Sequence, residues 1–206
     1  MAKNEEKTEK RTGGIVGRRY RYTEDYKILP ALGGPGGRER RVIYTAPWTL
    51  SKLDEAAWKT LVRRLWILTA LAVLAFLGVF LLPMNWQTRW YMPVLALGCF
   101  PLAYQVMGAV SLPREKKPLE RQQYDKSFVR VRHSAVFALV LICLSALGFG
   151  IWWILSAAGV LETVPFTARD AAFAALLILM AAAELLTCRL CRGIETETLE
   201  NSAYSG

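Results

Sequence analysis

The chain has 206 residues, 53% of them hydrophobic, yet it carries 26 Lys and Arg against 17 Asp and Glu, for a net charge of +9. Fifteen of those basic residues fall within residues 1–64, and beyond them lie long runs without any Asp, Glu, Lys, Arg or His. A soluble domain intersperses its charges because each helix keeps a wet face, so this segregation excludes an ordinary soluble domain; basic residues that flank apolar runs also argue against nucleic-acid binding.

Residues 1–14, MAKNEEKTEKRTGG, are charged, end in two glycines and predict a disordered tail. Residues 15–50 form a basic segment in which RRYRYTEDYKILP and RRVIYTAP flank LGGPGGRE. Aromatic and β-branched residues on either side of a Gly/Pro loop predict a hairpin. A lone hairpin is marginal in water, so this one is expected to lean on a membrane surface, the 114–131 segment or a partner. Ser51 and Asp54, in SKLD, predict a capping box that opens an interfacial helix over 51–62. Leu50, Leu53, Ala57 and Leu61 recur there at helical spacing, between Trp48 and Trp58. The first apolar run begins about sixty residues in, so no short cleavable leader is expected and the first span should act as an uncleaved insertion signal.

Leu65–Thr88, Trp90–Pro113 and Ser134–Leu161 are free of charge; Ala171–Ala183 is shorter and is followed by Glu184 and Leu185–Cys188. Crossing a hydrocarbon core takes about 20 apolar residues. Four spans are therefore predicted, over 63–83, 90–112, 132–157 and 168–190, followed by a disordered tail over 193–206. The fold class is all-α: a polytopic membrane protein with a four-helix transmembrane bundle over 63–192 and a basic segment before it. In the second span Pro101 should kink the helix, with Gln105 one turn later to bond a freed carbonyl. The small-residue pairs Ala146/Gly150 and Ala171/Ala175 predict close helix approach. TARD predicts that Thr167 and Asp170 cap the fourth span.

Lys52, Lys59, Arg63 and Arg64 precede the first span, and Arg114, Lys116, Lys117, Arg121, Lys126, Arg130 and Arg132 separate the second from the third. Arg189 and Arg192 end the fourth, whereas the two remaining loops carry only Arg89 and Arg169. The positive-inside rule then puts both termini in the cytoplasm of a multi-pass cell-membrane protein, its basic flanks facing anionic lipid headgroups. Trp48, Trp58 and Trp66 fall at the inner interface and Trp86, Trp90, Trp152 and Trp153 at the outer one. The outer loops, roughly 84–89 and 158–167, are too short for a folded ectodomain, so function is expected within the bundle or on its cytoplasmic side.

No P-loop, HExxH or GxSxG is found in the chain, no span holds a carboxylate pair, and GGPGG at 33–37 lacks the Lys-Ser/Thr that a phosphate loop needs. Catalysis is therefore not the expected role. The residues that stand out are Glu184, Cys188 and Cys191, spaced i, i+4, i+7 on one helix face. In a structural reading, Glu184 pairs with Arg63, Arg64, Arg132 or His133, which all open spans at the same membrane side. In a transport reading, Glu184 is an intramembrane ionisable site, with Gln105, Tyr104 and His133 as polar lining. In a metal or redox reading, Cys188 and Cys191 bind zinc or exchange electrons, but a second ligand pair is missing. Cys99 and Cys143 lie inside spans as small hydrophobes. No cofactor is expected. The leading expectation is an accessory or scaffold protein that acts through its helix faces and cytoplasmic side on another membrane protein or on itself.

Overall fold

The computed structural model describes residues 25–30, 40–44, 46–83, 89–160 and 167–199. The expected tail at 1–14, the Gly-rich loop at 33–37, Trp86 and residues 200–206 lie outside the described residues.

Strands β1 (Tyr26–Pro30) and β2 (Arg40–Tyr44) pair antiparallel, Tyr26 opposite Tyr44 and Pro30 opposite Arg40. A third strand, β3 (Trp48–Ser51), leads into α1 (Glu55–Leu81). The expected start of this helix at Ser51 is corrected. Ser51 ends β3, and Asp54 is the N-cap, its Oδ1 accepting the Ala57 N–H at 2.8 Å. The 51–62 stretch is thus not a separate interfacial helix; its helical part, from Glu55, belongs to α1.

The second apolar run folds as α2 (Met92–Ala96) and α3 (Cys99–Val110), broken at Leu97–Gly98. Pro101 has no N–H to offer the Leu97 carbonyl, so the interruption falls a turn before the proline. Gln105 bonds no freed carbonyl there: its Nε2 instead reaches the Thr69 hydroxyl on α1, at 3.5 Å. After a loop come α4 (Arg121–Tyr124), a π-helical turn (Asp125–Val129) and α5 (Arg130–Ala157), which run on as one stretch of 37 residues. Last are α6 (Ala168–Arg192) and β4 (Thr196–Leu199). Among the described residues, Glu55–Leu81, Met92–Val110, Arg121–Ala157 and Ala168–Arg192 are long and apolar enough to cross a membrane.

Helix α6 packs between α1 and α5, and α5 also holds α2 and α3. Two cores result. One gathers Phe76, Val79, Tyr91, Met92, Leu95, Trp152, Phe173 and Leu177. The other, at the basic end, gathers Trp58, Leu61, Leu65, Leu112, Leu119, Phe128 and Cys191. Trp58 is buried there and its indole N–H donates to the Pro113 carbonyl at 3.2 Å, so it is a core residue rather than a free interfacial one.

The closest helix approaches are not at the expected pairs. Ala146, Ala171 and Ala175 are exposed, and a Cβ added to Gly150 would meet nothing within 4 Å. The contacts lie at Gly148, where a Cβ would stand 2.6 Å from Tyr91 Cβ, and at Gly108, where it would stand 2.8 Å from Val131 Cγ2. Small residues matter where a neighbour crosses them, and spacing alone does not say where that is.

The basic end is closed by a cap. β3 pairs antiparallel with β4, Trp48 opposite Leu199 and Ser51 opposite Thr196. On its other side Thr49 exchanges backbone hydrogen bonds with Leu119, both at 2.9 Å. The segment at 193–206, expected to be disordered, is therefore ordered at least over Thr196–Leu199. The Tyr44 hydroxyl accepts the Arg121 N–H at 3.0 Å, tying the end of β2 to the start of α4.

Candidate functional site

Among the described residues, two groups of buried charged and polar side chains stand out between the helices, and they differ in how well their polar atoms are satisfied. In the first, the expected capping box of Thr167 and Asp170 forms, and Asp170 also has a partner that was not expected, Arg89. Asp170 stands in the first turn of α6 and is fully buried; Arg89, just before α2, is 6% exposed. Arg89 Nη1 meets Asp170 Oδ1 at 2.6 Å and donates to the Tyr91 hydroxyl at 3.0 Å. Its guanidinium carbon lies 4.6 Å from the centre of a Trp152 ring. The other carboxylate oxygen, Oδ2, accepts from the Thr167 backbone N–H at 3.0 Å and from its hydroxyl at 2.7 Å. Burial opposes the charge on Arg89, but the hydrogen bonds to Asp170 and Tyr91 outweigh it and hold the guanidinium above its ordinary pKa. Tyr91 in turn packs against Phe149, Trp152 and Phe173. Both carboxylate oxygens are bonded and the guanidinium lies against an aromatic ring, so the cluster ties the segment before α2, α5 and α6 together.

The second site is the stripe on α6. Phe173, Leu177, Met180, Glu184, Thr187, Cys188 and Cys191 are all buried, so the i, i+4, i+7 face is the one α6 turns to its neighbours. Thr187 bonds its own helix at the Ala183 carbonyl, 2.9 Å away. Glu184 is fully buried, and neither of its carboxylate oxygens has a hydrogen-bond partner among the described residues. Gln105 on α3 is fully buried beside it; its amide interacts with the carboxyl without a bond of good geometry, and its Oε1 is unpartnered too. Thr69, 2% exposed, completes a line of three polar side chains across α6, α3 and α1.

The expected basic partners of Glu184 are not there. Arg63, Arg64, Arg132 and His133 are exposed, and no ion pair to Glu184 forms among the described residues. An exposed position lets each charge keep its hydration. Tyr104 is 56% exposed and lines nothing with Gln105; the Arg130 guanidinium lies 5.9 Å from its ring centre instead. The polar lining expected from Gln105, Tyr104 and His133 therefore contracts to Gln105, joined by Thr69.

Cys188 and Cys191 are free thiols, buried in the same face. No group of three His, Cys, Asp or Glu side chains lies close enough to hold a metal among the described residues, so the zinc reading finds no third ligand. Cys191 instead packs in the core around Trp58. Cys99 and Cys143 lie within the apolar helices α3 and α5, on exposed faces.

The sign of the first site in the sequence was faint: a lone Arg in one short loop and an Asp in the turn that opens α6, on the same predicted side. Compared with family models, with curated proteins and with solved structures, the chain matches none.

Proposed function

We propose that this is a polytopic membrane protein of four spans, with both termini in the cytoplasm, that serves as an accessory or scaffold protein for another membrane protein or for a second copy of itself. The observation that carries the reading is the cap. β3, the 114–120 loop and β4 come from three distant parts of the chain, yet they are hydrogen-bonded into one surface at the basic end. A chain that needed only to anchor itself in lipid would have no use for such a platform. The outward helix faces suit a membrane: Leu74, Leu81, Leu147 and Ile178 are each more than 60% exposed, a cost in water that lipid removes. The Lys and Arg bias supports the orientation.

Mild detergent extraction followed by cross-linking tests the role. One defined membrane partner, or a defined oligomer of the chain, is expected with the full-length protein. Deleting residues 1–47 should weaken that association while the bundle stays folded. A solitary monomer under every gentle condition would refute the reading.

A second reading rests on Glu184. A buried carboxyl with no cation beside it, set against a Gln and a Thr on two other helices, has the chemistry of a proton or cation site in a small transporter or channel subunit. The side chains around it adapt to either state. An amide can offer its N–H to a carboxylate or its carbonyl to an acid, and a hydroxyl follows either choice. Here the test is flux into proteoliposomes, which Glu184→Gln should abolish with the fold intact; the absence of wild-type flux under every ion gradient tried would remove this reading.

A further inference from the structure

On the basic end, an open groove of about 630 Å³ runs between the first turns of α1 and the segment that follows α3. Lys59, Val62, Arg63 and Trp66 line it from α1, and Arg114 and Glu115 from the other side. The α1 residues are three and four positions apart, so they form one continuous face. Along the groove the chemistry changes. Val62 and Trp66, the latter 42% exposed, give an apolar wall. Lys59, Arg63 and Arg114 bring three cations against the single carboxylate of Glu115.

The cations are not equally available. Lys59 is held by Glu55 at 2.7 Å and lies within electrostatic reach of Glu115. Arg63 and Arg114 make no ion pair among the described residues, and both are exposed. The groove also sits where two charge-free runs end: that of α1 begins at Leu65, and that of α2 and α3 stops at Pro113. A matching ligand must therefore be amphipathic, with an anionic group at one end.

We propose that this groove binds an anionic phospholipid, its phosphodiester between Arg63 and Arg114 and its glycerol and upper acyl carbons against Trp66 and Val62. Guanidinium groups suit the phosphate because their N–H forks match its oxygens. Trp favours this level because its ring is apolar and its N–H is polar. The excess of cations over carboxylates selects a net-anionic headgroup over a zwitterionic one. The site rests on the membrane reading above and deepens it, from a diffuse attraction between basic flanks and lipid to one bound lipid.

Native mass spectrometry of the full chain released from nanodiscs tests it, with discs of phosphatidylcholine alone or mixed with phosphatidylglycerol. The wild type is expected to retain one phosphatidylglycerol in preference to phosphatidylcholine. Retention should fall about tenfold or more in R63Q/R114Q, which loses two charge-assisted contacts. R64Q/R192Q removes as much charge from exposed positions outside the groove and should retain the lipid. Should R63Q/R114Q fail to fold, Trp66→Ala, which keeps every charge, is expected to lower retention too. Equal losses in R63Q/R114Q and R64Q/R192Q would mean a diffuse field and overturn the site, as would displacement of the lipid by millimolar inorganic phosphate, which would mark a free-anion site. Wild-type discs that show no lipid preference would overturn the site alone. A wild type that does not enter discs would overturn the membrane reading, and the site with it.

Discussion

At the scale of single residues, the two buried acids show what a partner decides. Asp170 is bonded at both oxygens and faces Arg89, so removing either charge strands the other in an apolar core. Asp170→Asn is expected to cost about 3–5 kcal/mol. Arg89→Gln should cost a similar amount, and the double variant much less than the sum of the two, because the stranded charge disappears. Unfolding of the detergent-solubilised protein, followed by the fluorescence of Trp152 and its neighbours, measures all three; a double variant that costs the full sum would show that the pair is not coupled. The sequence made both residues visible but not their meeting, since they lie 81 positions apart and nothing local brings them together. Glu184 was legible in the complementary way. Its shared face with Cys188 and Cys191 follows from helix geometry alone, and that face is buried. Its partner did not follow, because position along the predicted spans puts Arg63, Arg64, Arg132 and His133 at the right level and says nothing of which way they turn. The polar line that forms instead, Glu184, Gln105 and Thr69, depends on the crossing of three helices.

At the scale of elements, three of the apolar helices were legible because each is built on a run of more than 20 residues without charge, and the fourth because only Glu184 interrupts its apolar run, whereas the contacts between them were not. Ala146/Gly150 and Gly108 or Gly148 look alike in the sequence, and only the path of the neighbouring segment distinguishes them. Gly148→Ala would drive a methyl group against Tyr91 Cβ and the Trp90 ring, 2.6 and 3.1 Å away, and is expected to destabilise by about 1–3 kcal/mol. Gly150→Ala meets open space, so the same unfolding measurement should find it neutral or slightly stabilising, since alanine favours the helix. A Gly148→Ala protein as stable as wild type would mean that α2 and α5 do not cross there. The cap was illegible for a different reason. β4 reads TETL, four residues without a clear apolar alternation, and it is ordered by pairing with β3 rather than by its own pattern. Removing residues 196–206 should therefore speed amide exchange over 48–52, while the Trp58 core beneath stays protected. Unchanged exchange over 48–52 would show that β4 does not hold β3.

At the scale of the whole molecule, the arrangement separates roles by end. The end with Arg89 and Asp170 is held together by an ion pair and an aromatic cluster. The basic end carries the cap, the groove and the exposed Arg63, Arg64 and Arg114, so the function proposed above would place contact with partners and lipid headgroups there. This division requires one orientation. If Lys and Arg set it, epitope tags at the two termini should both be shielded from protease added to intact cells, and both be cleaved once the membrane is permeabilised. A protease site inserted at Ala158–Gly159, between α5 and α6, should behave in the opposite way: Gly159 has φ of 71° and open space around it, so the turn accepts an insertion without disturbing the helices. The reverse pattern would invert the molecule and put the cap and groove on the outer surface. Termini on opposite sides would mean that one of the four apolar helices does not cross at all. The shortest of them, Met92–Val110, broken at Leu97–Gly98, is the one to suspect in that case, because its 19 residues barely span a hydrocarbon core.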